Sequence, residues 1–114
     1  MERMDRVNQM VKREVCNIVQ REMEDPRLHL VSISRIEVSR DLKHAKVYFS
    51  VLGEEEKVEK AQDALNSARN LIRKRVAQRV RLKFIPEFDF YYDKSLGFNI
   101  ELEKEVERLN NEHQ

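Results

Sequence analysis

Residues 30–52 read LVSISRIEVSRDLKHAKVYFSVL, and their alternation decides the fold. Val31 and Ile33, then Ile36 and Val38, alternate with polar residues, but the phase slips by one at Ser34-Arg35. One extra residue there, a β-bulge, returns both halves to the same face. Ser39, Arg40, Asp41, Leu42 and Lys43 make a polar turn, after which Ala45, Val47, Phe49 and Val51 alternate cleanly with His44, Lys46, Tyr48 and Ser50. Two strands this closely joined predict an antiparallel hairpin.

Outward from the hairpin the period changes. Upstream, Val7, Met10, Val11, Val15, Ile18 and Val19 fall on one face of an amphipathic helix from Asp5 to about residue 24, which Asp25-Pro26 closes, because proline drives its predecessor out of the helical region. Downstream, Gly53 and the acids Glu54, Glu55 and Glu56 precede Val58, Ala61, Leu65 and Ala68; early acids suit the positive N-terminal end of a helix. The apolar stripe continues nearly in phase to Val80, which as one helix of about 25 residues would be roughly 37 Å long, more than a small compact domain comfortably covers. A break is expected, and Asn70 is the best local candidate, being a poor helix-interior residue tolerant of unusual backbone angles.

Residues 84–92 read as a third strand, with Phe88, Phe90 and Tyr92 on one face and Glu87, Asp89 and Tyr91 on the other. Pro86 lacks a ladder donor, which favours an edge or a strand end. Helix, strand, strand, helix, helix, strand gives an α+β layer: a three-stranded sheet covered on one face by helices. After a turn at residues 93–97, Ile100, Leu102, Val106 and Leu109 suggest a short C-terminal helix or tail, dividing the chain into a domain of residues 1–97 and an extension of residues 98–114.

A chain of 114 residues, 40% hydrophobic, suffices for one domain with a real core. The single cysteine, Cys16, cannot form an intrachain disulfide, which fits a reducing cytoplasm; on the helical wheel it falls at an exposed or marginal position. No apolar run approaches the roughly 18 residues of a membrane span, and the first residues lack the apolar centre of a signal peptide, so a soluble cytoplasmic protein is expected.

Charge is segregated. Residues 68–83 carry seven Lys or Arg and no acid, although the whole chain has a formal net charge of only +1. Ile72, Val76 and Val80 recur every fourth residue, so one side can pack while Arg69, Arg73, Lys74, Arg75, Arg79, Arg81 and Lys83 surround the rest. An uncompensated cationic surface attracts polyanions, since each phosphate it neutralises releases a condensed counterion. Arg3, Arg6 and Arg13 line a flank of the first helix and form a secondary candidate contact, diluted by Glu2, Glu14, Glu22 and Glu24. A sheet that stacks bases needs exposed aromatics beside basic residues. Here the outward positions include Glu87 and Asp89, so the aromatics read as core and the helices should meet the nucleic acid.

Catalytic patterns do not emerge. His29, His44 and His113 are scattered, Gly53 and Gly97 form no phosphate cradle, and Glu87 and Asp89 lack an accompanying nucleophile or metal motif. No enzyme activity, cofactor, metal or small-molecule ligand is expected, and a monomer is the default.

Three segments carry a more specific signal: Asp25-Pro26-Arg27; Val38-Ser39-Arg40-Asp41 followed by Ala45-Lys46-Val47-Tyr48; and Arg81-Leu82 with Pro86-Glu87-Phe88, Phe90, Asp93 and Ser95. In their order and spacing the chain resembles the bacterial ribosome-binding factor A family over nearly its full length. The resemblance implies a type II KH-like fold, in which an Ala-x-Gly kink between two helices replaces the Gly-x-x-Gly loop of ordinary KH domains. Here that site reads Ala68-Arg69-Asn70, with asparagine, the next most permissive residue, in place of glycine. It further implies an assembly factor that binds the immature small ribosomal subunit and its rRNA, assists late maturation, matters in the cold and has assembly GTPases among its candidate partners. The basic kinked helix pair would be the rRNA-contacting surface. The rival reading is a protein-interaction adaptor using the acidic tail and outer sheet face; a stand-alone KH module for single-stranded RNA is a third.

Overall fold

The computed structural model describes residues 3–53 and 55–94, so the C-terminal extension and the domain boundary after residue 97 lie outside the described residues. Helix α1 spans Arg3–Asn17 and buries Val7, Val11 and Val15. Its last turn widens to π geometry over Ile18–Glu22, with Ile18 and Val19 buried, and Met23 is extended. The helix thus ends before Asp25-Pro26, which instead opens a 3-10 turn at Pro26–Leu28: the Asp25 carboxylate accepts from the Arg27 backbone N–H and Pro26 supplies a first-turn residue that needs no donor.

Strand β1 is Val31–Val38 and β2 is His44–Val51, paired antiparallel from Val31 opposite Val51 to Val38 opposite Ala45. The register shifts between Ile33 and Arg35, where the alternation slipped. The turn between the strands is stitched by short polar residues. The Ser39 hydroxyl donates to Asp41 Oδ1 at 2.6 Å, which also accepts from the Lys43 N–H at 3.0 Å; the Ser39 hydroxyl oxygen in turn accepts from the His44 N–H at 3.1 Å. These bonds hold the Asp41 carboxyl below its ordinary range, the Ser39 hydroxyl contributing most. They also hold Leu42 at φ 63°, an angle costly for a side chain of this size. Its side chain is buried in the core, which offsets the strain.

Helix α2, Glu55–Arg79, starts with Glu55 and Glu56 in its first turn. It is the crossover to β3, Glu87–Tyr92, which lies parallel to β2 from His44 opposite Glu87 to Phe49 opposite Tyr92. The order β1-β2-β3 places β3 at an edge, beginning just after Pro86. Ile33, Ile36, Val38, Val47, Phe49, Phe88 and Phe90 meet the buried faces of α1 and α2 in one core. Cys16 packs half-buried against it, and burial pushes its thiol pKa up.

One expectation is corrected. Helix α2 runs 25 residues without interruption, so neither the break at Ala68-Arg69-Asn70 nor a second helix beyond it forms, and the order is α-β-β-α-β. Buried Ala61, Ala64, Leu65, Ile72 and Val76 stay in phase across the expected break, and Asn70 is exposed. Keeping a solvent-facing Asn helical costs about 0.7 kcal/mol relative to Ala, less than the roughly 1–2 kcal/mol of a left-handed non-glycine residue. The length is accommodated because α2 packs against several elements: β3, the 3-10 turn, α1, β2 and the π turn.

Candidate nucleic-acid interface

The cations of residues 69–83 are divided among three environments. Arg75 and Arg79 face α1. The Arg79 guanidinium donates to both carboxylate oxygens of Glu22 and lies 3.8 Å from Glu14, while Arg75 Nη1 donates to the Glu22 carbonyl at 3.3 Å and its carboxylate at 3.4 Å. Hydrogen bonding from Arg79 holds the Glu22 carboxyl below the usual carboxylate range, and the same bond raises Arg79. These two charges pin α2 to the π turn. Arg69 turns to β3, donating to Asn66 Oδ1 at 3.0 Å with Asp89 3.9 Å away; its Nε is enclosed and has no partner among the described residues.

Arg73 differs. Its Nε donates to the Pro86 carbonyl at 3.3 Å and its Nη2 to the Ile85 carbonyl at 2.9 Å. Neutral carbonyls fix the guanidinium in place without cancelling its charge. Together they tie α2 to the segment leading into β3 and form the wall of an open groove of about 530 Å³ lined by Asn70, Arg73, Lys74, Ala77, Lys83, Phe84 and Ile85. Lys74 and Lys83 are exposed and pair with no carboxylate among the described residues, nor does Arg81 farther along. The groove therefore gathers three uncompensated cations. Arg3, Arg6 and Arg13 are exposed on α1, with Arg13 3.7 Å from Glu14, and none lines the groove.

Phe84 is the residue missed by reading 84–92 as one strand. Pairing with β2 begins only at Glu87, because Pro86 has no N–H to offer, so Phe84 stands outside the sheet and is 45% exposed, with Lys83 Nζ 5.6 Å from its ring centroid. The available signal was an aromatic wedged between Lys83 and Pro86. Asn70, expected at a kink, lines the groove instead.

The open sheet face also carries aromatics. Tyr48 and Tyr91 lie 5.8 Å apart, Tyr91 is 45% exposed, and the Arg35 guanidinium sits 4.1 Å over Tyr48. Phe49, Phe88 and Phe90 are in the core as expected, but these two tyrosines are not. The charges around them are mixed, with Glu37 3.4 Å from Arg35 and Asp89 opposite Lys46. Among the described residues no cluster of three His, Cys, Asp or Glu is assembled and no helix is long and apolar enough to cross a membrane.

One layer of two helices on a three-stranded mixed sheet, with a basic groove at the end of the long helix, makes this a KH-like α+β module. The chain belongs to the ribosome-binding factor A family. The family profile described as Ribosome-binding factor A matches residues 3–106. A protein of that name from Acetivibrio thermocellus is 43% identical over 97 residues, 84% of this chain and 79% of the relative. One from Caldicellulosiruptor bescii is 39% identical over 112 residues, 96% of this chain and 85% of the relative. The crystal structure of ribosome-binding factor A from Thermus thermophilus superposes with a TM-score of 0.72 at 28% identity, covering 80% of this chain and 97% of that one. A homology model of the Thermus thermophilus factor, fitted into a cryo-electron-microscopy map of a 30S–RbfA complex, gives a TM-score of 0.64 at 30% identity, covering 76% and 91% of the two chains.

Proposed function

We propose that this chain is a ribosome assembly factor that binds the immature small ribosomal subunit through its rRNA, with Arg73, Lys74 and Lys83 of the groove, and Arg81 beside it, meeting phosphates. The observation that carries the reading is that these cations stay uncompensated in a chain of formal net charge only +1. The similarity to a factor fitted into a 30S complex supports the choice of polyanion. In this reading the protein acts as a cytoplasmic monomer in late maturation of the small-subunit rRNA, most needed in the cold and alongside assembly GTPases. Its contribution is binding and not catalysis.

Titrating isolated small subunits at several salt concentrations tests this. The triple variant Arg73→Gln, Lys74→Gln, Lys83→Gln should flatten the log–log salt slope by roughly 0.7–0.9 for each phosphate it no longer neutralises. An unchanged slope removes the groove from the interface. A second reading, a protein-interaction adaptor, draws on the Arg35, Tyr48 and Tyr91 cluster of the open sheet face, since Arg and Tyr are favoured anchors at protein interfaces. An adaptor stays in the supernatant when small subunits are sedimented without its protein partner.

A further inference from the structure

We infer that the groove takes an unpaired nucleotide, its base stacked on Phe84 and its phosphates held by Arg73, Lys74 and Lys83. This rests on the reading of the groove as the rRNA contact and names what enters it. A surface that only tracks phosphates has no use for an apolar ring held in water, yet Phe84 is 45% exposed in a groove that joins three cations with no carboxylate partner among the described residues. Ala77 and Ile85 supply apolar lining around it. Asn70 lines the same space, and its amide, a donor and an acceptor together, hydrogen-bonds no described residue. Apolar platform, amide and cations match the three parts of a nucleotide: base face, base edge and phosphate. The volume, about 530 Å³, is that of a small-ligand site. In a duplex the base faces are covered by their stacked neighbours, so only an unpaired base offers a free face to the ring.

The geometry of Arg73 strengthens the assignment. Its two carbonyl bonds come from Ile85 and Pro86, the residues immediately after Phe84. The bonds that present the guanidinium therefore also hold the backbone carrying the ring, and charge and platform keep a fixed relation before any ligand arrives. Such preorganisation lowers the ordering cost of binding.

Two RNA hairpins serve as probes for the full chain: one with a single unpaired adenosine in its stem, the other fully paired. Phe84→Ala should weaken binding to the first roughly five- to a hundredfold and to the second less than twofold, while Phe84→Trp keeps the preference. Because the ring is half in solvent, both variants should retain the wild-type thermal midpoint. Equal weakening on both hairpins, or none from Phe84→Ala where Arg73→Gln, Lys74→Gln, Lys83→Gln does reduce affinity, overturns the stacked base and leaves the phosphate grip standing. If the triple variant also binds both hairpins as tightly as wild type, the groove reading falls with it.

Discussion

The two sides of the molecule around the C-terminal end of α2 are both basic and do opposite work. On the side facing α1, Arg75 and Arg79 meet Glu22 and Glu14; on the groove side, Arg73 meets only carbonyls, and Lys74 and Lys83 meet no acid among the described residues. The difference teaches that a cation's value to a polyanion is set by its partner. A carboxylate removes the monopole, whereas a carbonyl orients the charge and leaves it available. Side chains two residues apart in one helix thus become a fastener and an available charge.

Both sides rest on the same buried stripe, so the largest expected effect comes from removing part of it. Ile72 is fully buried beneath the ridge. Ile72→Ala should cost about 2–5 kcal/mol in denaturant unfolding. A decrease well under 1 kcal/mol would mean that the ridge does not depend on that packing.

A smaller effect, and a sharper one for the comparison, follows from Glu22→Gln. The variant removes the carboxylate that neutralises Arg75 and Arg79, leaving Arg75 on the residue-22 backbone carbonyl and Arg79 near Glu14, and so turns the fastened side part of the way toward the character of the groove side. It should unfold at lower temperature while steepening the salt slope for small subunits by up to about 1–2. The pH dependence has a definite sign. Because Arg79 lowers the Glu22 carboxyl in the folded state, its stabilisation is complete above the unfolded carboxylate value of about 4.3 and fades as pH falls through that value toward the folded one. Thermal unfolding between pH 3 and 7 should show a shallower acid destabilisation in Glu22→Gln than in the wild type. Parallel curves would mean that the pin contributes nothing.

The smallest expected effect concerns the continuity of α2 itself. Asn70 sits in regular helix, so Asn70→Ala should raise stability by about 0.5–0.7 kcal/mol. Destabilisation would instead show that residue 70 needs a conformation alanine resists.

The hairpin, its bulge and its turn were legible because alternation is a local signal and a phase slip at Ser34-Arg35 has few other causes. The continuity of α2 was not. Helix length in isolation argues for a break, but the decision belongs to Ile72 and Val76, which are buried beyond it and hold the chain in phase. The basic stretch was legible as charge and not as surface. Glu22, which takes up Arg75 and Arg79, lies 53 and 57 residues away from them, and no local pattern links them. Phe84 was hidden by its resemblance to strand residues; only the absence of a β2 partner before Glu87 takes it out of the sheet. Asp25-Pro26-Arg27 and Ser39-Arg40-Asp41, conspicuous as motifs, prove to be caps and stitches: Asp25 holds the Arg27 side chain with bonds of 2.7–3.1 Å, and Asp41 fastens the hairpin turn.

The parallel pairing of β3 with β2 has a consequence for the birth of the molecule. One wall of the groove belongs to the crossover helix and the other to the segment that follows it, so the walls meet only after residues as late as Tyr92 have left the synthesising ribosome and zipped along His44–Val51. A half-made copy carries loose arginines but no clasp. On the proposed function, only finished copies would bind rRNA.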